Sequence, residues 1–316
     1  MELTVVVSVF NEAAALPAFL ARAGRALDGL GAEAELLVVD DGSTDGSGAV
    51  VAAAADPRVR LLTLSRNFGH EAAMIAGIDH ARGAAVVCMD GDLQHPPEEL
   101  PRLLAAHRAG ADVVMMVRTA TDELSPGRRL LSRLFYWLLG VLAPAGLEPN
   151  ASDFFLVSRR VVAVLRADYR ERVRFLRGYV QVVGFRKVSL PYQAARRAHG
   201  QSRYSLQALL ELSLHAILGF SNLPLRLGVL VAALVAGLTA GLGTVVGAYS
   251  LVMRWLGDPP SGYTTIVVLL CFLFAVQFLL TGVIGEYVGH VFAEVKRRPI
   301  YLVDEAPPAG RSPDAP

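Results

Sequence analysis

Five short apolar runs punctuate the first 117 residues: "TVVVSVF" (4–10), "ELLVVD" (35–40), "RLLTLS" (60–65), "AAVVCMD" (84–90) and "DVVMMV" (112–117). Between them lie Ala- and Leu-rich segments of helical length at 13–28, 45–55, 70–82 and 97–109. Strands apolar on both faces and separated by helices predict a parallel sheet covered on both sides, an α/β fold. A more basic stretch follows, from about residue 118 to 204, with helical patterns near 126–142 and 158–166. The strand-like pieces "DFFLVS" (153–158) and "FRKVSLPY" (185–192) are mixed into it, and it is expected to complete the sheet and wall one side of a cleft.

The pattern then changes. Residues 205–222, "SLQALLELSLHAILGFSN", read as a helix with one formal charge, Glu211, expected to lie in a membrane interface. Residues 227–253 and 263–285 contain no charged side chain, and each exceeds the roughly 20 residues needed to span a bilayer. Two transmembrane helices are predicted. Arg226 and the basic 186–203 stretch precede them and "EVKRRP" (294–299) follows, which by the positive-inside rule places both ends in the cytoplasm. The pairs Gly237/Gly241, Gly243/Gly247 and Gly285/Gly289 have small-xxx-small spacing, for packing within this hairpin or between subunits. The expected organisation is a catalytic domain at 1–204, a juxtamembrane helix at 205–225, a transmembrane hairpin at 226–292 and a cytoplasmic tail at 293–316. The tail is Pro- and Ala-rich from Asp304 and is expected to be disordered.

Composition adds limits. The 316 residues can hold one large domain, or an ordinary one with an appendage. Thirty basic against 29 acidic residues give no global signal for nucleic acid. The two cysteines, Cys88 in a strand and Cys271 in an apolar run, make no disulfide framework. "MELTVVVSVF" has no basic n-region and reaches Asn11-Glu12 too soon for a signal peptide, so it reads as a first strand on the cytoplasmic side.

In a parallel α/β sheet, ligands sit at the carboxyl ends of the strands. Those ends carry Asn11-Glu12, Asp40-Asp41, Arg66-Asn67 and Asp90 with Asp92. Any one would serve as a helix cap. Together they describe a cleft for a cation or for polar hydroxyl groups. In extended backbone, residues i and i+2 point the same way, so Asp90 and Asp92 of "DGDLQHPP" face one spot, with Gln94 two residues further on. Hard oxygen ligands in small number suit Mg²⁺ or Mn²⁺ with positions left open for a substrate phosphate. No His/Cys cluster of zinc spacing, no P-loop and no G-x-G-x-x-G after the first strand is present. A metal-bound nucleoside diphosphate leaving group then points to sugar transfer from a nucleotide sugar.

The stretches "VVVSVFNE", "LLVVDDGSTDGS", "LSRNFGHEAAMIAGIDHARG" and "MDGDLQHPPE" closely resemble family 2 glycosyltransferases of the GT-A fold. "RRLLSRLFYWLL", "SDFFLVSRR", "RFLRGYVQVVGFRKVSLPY", "RRAHGQSRYS" and "GEYVGHVFAEVKRRPIYLV" narrow the resemblance to polyprenyl-phosphate glycosyltransferases, over nearly the whole chain to Val303. The resemblance implies that Asn11, Glu12 and Asp41 line the nucleotide pocket, and that Asp90, Asp92 and Gln94 hold the metal and the diphosphate. It implies phosphate handling by Arg118, Arg128 or Arg129, Ser132 and Arg203, and a place near the reacting centre for Asp153. The adjacent arginines leave that register open by one residue.

The implied protein is an inverting, metal-dependent enzyme of the bacterial inner membrane. It would move a sugar, glucose from UDP-glucose first, to polyprenyl phosphate, and a homo-oligomer is expected. A lipid phosphate is already anionic at neutral pH, so it needs orientation more than a general base. Two other readings fit less well. A polysaccharide synthase would carry Q-x-x-R-W, and Arg254-Trp255 has no Gln three residues before the Arg. A non-catalytic membrane scaffold is hard to square with intact acids and arginines.

Overall fold

The computed structural model describes residues 1–119, 148, 151–171, 175–193, 223–257 and 262–304. The helical pattern at 126–142, the expected interfacial helix at 205–222 and the tail beyond Asp304 lie outside them. The chain divides into two units, Met1–Ser213 with Arg298–Pro316, and Leu214–Arg297.

The first unit is a seven-stranded sheet flanked by helices. Its elements are β1 (Leu3–Val9), α1 (Leu16–Asp28), β2 (Ala34–Asp40), α2 (Ser47–Ala52), β3 (Val59–Thr63), α3 (His70–His80), β4 (Ala85–Asp90) and α4 (Leu100–Arg108). There follow β5 (Val113–Arg118), β6 (Ala151–Ser158), α5 (Arg159–Ala167), α6 (Leu176–Val182) and β7 (Lys187–Tyr192). The sheet order is β3-β2-β1-β4-β6-β5-β7. All neighbours are parallel except β6, which runs antiparallel to both β4 and β5.

The five predicted runs became the first five strands, and their composition explains it. β1 and β2 are apolar on both faces and buried almost throughout, as central strands with helices on each side must be. α1 buries Leu16, Phe19, Ala23 and Leu27, a single helical stripe. Each large apolar side chain hidden this way contributes about 1.5–3 kcal/mol. Pro17 stands in the first turn, where its missing N–H costs nothing. The buried polar pair Thr4 and Glu35 is matched: the Thr4 hydroxyl donates to Glu35 Oε1 at 2.7 Å, and Arg60 Nε donates to Oε2 at 3.2 Å. Gly77 lets α3 lie on the sheet, since a Cβ there would meet Val6 Cγ1 at 2.1 Å.

β6 was expected to complete the sheet, and it does so between β4 and β5. Its antiparallel sense lay outside the expectation, because strand direction depends on the route of the chain between residues 119 and 151. The stretch after the last long helix also adds to this unit. Leu64 bridges Val303 in antiparallel sense, Ser65 N–H donates to the Leu302 carbonyl at 2.9 Å, and Asp304 N–H donates to the Thr63 carbonyl at 2.8 Å.

The second unit holds α7 (Leu223–Trp255) and α8 (Tyr263–Val295), each 33 residues. At 1.5 Å per residue each is about 50 Å long. Both are long and apolar enough to cross a membrane, by length and composition, over Ala233–Trp255 and Phe272–Gly289. Large apolar side chains stand bare along both, among them Leu234, Leu238, Phe274 and Phe278. Among the described residues, a Cβ at Gly237, Gly241, Gly243, Gly247, Gly285 or Gly289 would meet nothing within 4 Å.

Candidate active site

The strand ends assemble along one edge of the sheet. In the β1–β2 and β1–β4 registers Val9 faces Asp40 and Ser8 faces Asp90. β4 pairs with β6 as far as Cys88 opposite Phe155, and Asp90 and Asp153 each lie two residues further toward the same end, where both carboxylates act on His70. On the other side of β6, Arg118 faces Tyr192. The sheet itself thus brings Asp90, Asp153 and Arg118 to one edge.

Two loops line the β1 and β2 ends and are knitted to each other. Asn11 takes a left-handed backbone (φ 55°). Its N–H donates to Ser43 Oγ at 3.0 Å, and its Oδ1 accepts from the Thr44 N–H at 2.9 Å. Glu12 N–H donates to Ser47 Oγ at 2.9 Å and Ala13 N–H to Asp45 Oδ2 at 2.9 Å. Asp41 lies buried behind them, where Oδ1 accepts from the Phe68 N–H at 2.7 Å and Oδ2 from the Gly69 N–H at 2.8 Å. Burial pushes its pKa up, although those two N–H groups act the other way. Asp41, expected to line the nucleotide pocket, therefore grips the loop between β3 and α3. Gly42 (φ 72°) makes that approach possible, because a Cβ would stand 2.5 Å from the Arg66 carbonyl carbon.

β4 ends at Asp90, and residues 91–96 turn rather than extend. Leu93 has φ 66°, and Gln94 N–H donates to Asp92 Oδ1 at 3.0 Å. Asp90, Asp92 and Gln94 are part-exposed, while Gly91, Leu93 and His95 are buried. Partial exposure thus alternates along this stretch, although the extended backbone that the i, i+2 argument assumes is not what residues 91–95 adopt. Arg118 Nη2 approaches Gln94 Oε1 at 3.4 Å, and its Nε donates to Tyr192 Oη at 3.1 Å.

Several members of the site carried no signal in the spacing argument. His70 opens α3, with Nδ1 2.8 Å from Ser8 Oγ and Nε2 3.6 Å from Asp90 Oδ1. Burial opposes its charge, but the carboxylates of Asp90, Asp153 and Glu71 outweigh that and raise its pKa. Glu71 is held up by burial and then by Asp153, and its Oε2 accepts from the Leu176 N–H at 2.9 Å. Arg177 Nη1 stands 3.7 Å from Asp153 Oδ2. His95 Nδ1 lies 3.5 Å from Asp90 Oδ2, yet the same nitrogen accepts the Asp90 N–H at 2.9 Å, so this contact is no ion pair. The Cys88 thiol is fully buried and pushed far up by burial, which makes it inert. The predicted residues Arg128, Arg129, Ser132 and Arg203 lie outside the described residues.

Among the described residues no three His, Cys, Asp or Glu side chains converge as a metal cage. What stands at the edge is two carboxylates and an amide oxygen, from Asp90, Asp92 and Gln94. That donor set fits a hard divalent cation that takes its remaining ligands from phosphate oxygens, and it fits zinc poorly. Chemically, the edge combines a few acids with Arg118, Arg177 and His70, an arrangement able to hold a diphosphate through a cation and direct hydrogen bonds.

Residues 4–165 match the family described as Glycosyl transferase family 2. The chain is 36% identical over 315 residues to the SfII prophage-derived bactoprenol glucosyl transferase of Shigella flexneri, covering 97% of this chain and 98% of that one. It is 34% identical over 312 residues to a prophage bactoprenol glucosyl transferase homolog of Escherichia coli, covering 96% and 98%. Among solved structures it resembles glucosyl-3-phosphoglycerate synthase from Mycobacterium tuberculosis in complex with Mn²⁺, UDP-glucose and phosphoglyceric acid. That likeness has a TM-score of 0.47 at 19% identity, over 69% of this chain and 77% of that one.

Proposed function

The chain belongs to glycosyl transferase family 2 and is a glycosyltransferase with an α/β sheet of the GT-A type, and from that premise we propose that it transfers glucose from UDP-glucose to polyprenyl phosphate at the cytoplasmic face of a bacterial inner membrane. The observation that carries this reading is the strand edge where Asp90, Asp92 and Gln94 stand beside Arg118. The relatives' names, which specify bactoprenol and glucosyl transfer, support the acceptor and the sugar. The two long bare apolar helices support a membrane anchor, and glycine-spaced helix faces would suit a homo-oligomer.

The reaction is a single displacement. A phosphate oxygen of the lipid attacks the anomeric carbon of the sugar, the bond from that carbon to the diphosphate oxygen breaks, and the electron pair leaves with the nucleoside diphosphate. The configuration inverts, so an α-linked donor yields a β-linked lipid phosphate sugar. The attacking oxygen is already anionic and no proton has to be removed. Asp90, Asp92 and Gln94 would hold Mg²⁺ or Mn²⁺, which neutralises the negative charge of the diphosphate when bound. Arg118, held by Tyr192 from behind, would hydrogen-bond a phosphate oxygen. Arg128 or Arg129, Ser132 and Arg203 are proposed to orient the acceptor phosphate. Asp153, at the same strand edge as Asp90, would face the reacting sugar. Asn11, Glu12 and Asp41 would border the nucleotide.

The test is to incubate purified enzyme and undecaprenyl phosphate with a panel of labelled nucleotide sugars, with Mg²⁺ or Mn²⁺ and with EDTA. Label entering the lipid phase from UDP-glucose, and lost in EDTA, is expected. Label from another donor alone would reject glucose, and full transfer in EDTA would reject the metal.

A further inference from the structure

His95 takes no part in the reaction written above, yet it is fully buried. A polar ring costs free energy there unless its nitrogens are matched. Both are. The Asp90 N–H lies 2.9 Å from Nδ1, and a backbone N–H can only donate. Nδ1 is therefore an acceptor, and the proton of the neutral ring sits on Nε2. Nε2 donates to Ser152 Oγ at 2.9 Å, and that oxygen also accepts the Phe154 N–H at 3.0 Å. With both lone pairs occupied, the Ser152 proton is the one shared with Tyr192 Oη, 3.0 Å away. Tyr192 Oη accepts from Arg118 Nε at 3.1 Å, and Arg118 Nη2 returns to Gln94 Oε1 at 3.4 Å. The chain begins at Asp90 and ends at Gln94, two of the three residues placed around the cation.

Packing fixes the ring as well. It stacks on Phe154 with centroids 5.2 Å apart and planes 19° apart, and meets Tyr192 edge-on at 6.1 Å. Residues 91–95 belong to no strand and turn through a left-handed Leu93, so no ladder of hydrogen bonds holds them. The anchor is His95.

We infer that His95 is a positioning residue, which as the neutral Nε2–H tautomer ties the acidic loop after β4 to β6 and β7 and so keeps Asp90, Gln94 and Arg118 in one register for a diphosphate and its cation. What the loop grips rests on the proposed reaction; the tether itself rests on the geometry alone.

The experiment uses the full-length protein labelled with ¹⁵N-histidine near neutral pH without metal. The His95 ring, identified by its loss in His95→Asn, is expected to show an acceptor-type Nδ1 and a protonated Nε2. Mn²⁺ is then titrated in the transfer assay with a nucleotide sugar the wild type turns over. His95→Phe keeps the stacking and loses both nitrogens, and it is expected to raise the Mn²⁺ concentration for half-maximal rate by about 10–100-fold, as loss of a residue that orients metal ligands usually does. Ser152→Ala should raise it less. His95→Asn, which retains an acceptor near the Nδ1 position, should recover part of the loss. Should His95→Phe not fold, Ser152→Ala and His95→Asn carry the same comparison. A protonated Nδ1 in the wild type, or folded variants whose Mn²⁺ response matches the wild type, overturns the inference. Wild-type transfer undiminished in EDTA would instead overturn the metal reading, and the nitrogen spectrum is independent of that result.

Discussion

Tyr301 donates its hydroxyl to Asp79 Oδ2 at 2.8 Å, across 222 positions of sequence. Asp79 sits on α3 and also takes Arg170 Nη1 at 2.9 Å on both oxygens. Beside this contact the backbone of residues 302–304 bonds to Thr63 and Ser65 at the end of β3. The stretch after the last long helix is thus a strap on the outer strand of the sheet. It meets the chain just before the loop that Asp41 grips.

Tyr301→Phe removes one hydrogen bond and leaves Asp79 paired with Arg170. The expected cost is about 1 kcal/mol, a fall in melting temperature of about 2–4 °C. Deleting residues 298–316 also strips the backbone bonds at β3 and should cost more, with a higher KM for the donor. Thermal unfolding and donor kinetics of the two variants check this; a deletion that changes neither would deny the strap any role.

Asp41 serves two N–H donors with two oxygens. Asp41→Asn keeps one acceptor oxygen and turns an N–H₂ toward the other donor, leaving a buried N–H unmatched. A loss of about 1–3 kcal/mol is expected, together with faster amide hydrogen exchange at Phe68 and Gly69. Unchanged exchange at those two amides would contradict the assignment.

Asp92→Asn keeps an oxygen for the Gln94 N–H but halves the formal negative charge that Asp90 and Asp92 offer a cation. Transfer is expected to fall at least about 100-fold with folding intact, in line with losing a group that stabilises developing charge. Circular dichroism and lipid-phase counting separate the two effects. Turnover like the wild type's would favour a scaffold over an enzyme built on this edge.

Glu35 supplies a pH signature. Burial pushes its pKa up, but hydrogen bonds from Arg60 and Thr4 outweigh that and hold it below the ordinary carboxylate range. A carboxyl depressed in the fold contributes stability that is present above its unfolded pKa and lost as pH falls through the folded one. Arg60→Met reverses the sign, because Glu35 is then buried with its main partner gone. The variant should lose about 3 kcal/mol near neutrality. That gap should narrow between about pH 6 and about pH 4, as protonation relieves the unpaired charge. Urea unfolding across that range tests it, and a gap independent of pH would rule the explanation out.

Much of this molecule is legible in its sequence. Residues 91–97 show why and how far. The i, i+2 spacing of Asp90, Asp92 and Gln94 suggests one side for an extended backbone; the three are part-exposed, but the backbone turns through a left-handed Leu93 instead. His95 sits on the other side of the same alternation, where spacing says only that it is buried. Its partners Ser152 and Tyr192 are 57 and 97 positions away, and what they do for its nitrogens depends on β6 pairing with β4 and on β7 joining the same sheet beyond β5. His70, Glu71 and Arg177 carry no signal in the spacing for the same reason.

By itself the sequence determined what is local and periodic: which runs are buried strands, which segments are helices, where two long apolar helices stand, and that acids end the strands. These follow from side-chain chemistry repeating every two or every 3.6 residues, which needs no knowledge of neighbours. The tertiary structure alone decided the pairings. It set β6 antiparallel so that Asp153 comes to the same edge as Asp90, turned Asp41 toward a loop, seated His95 among three strands and laid residues 302–304 on β3. Each is a contact between segments distant in the chain, and such contacts are settled by which buried polar groups can satisfy one another once the sheet has closed.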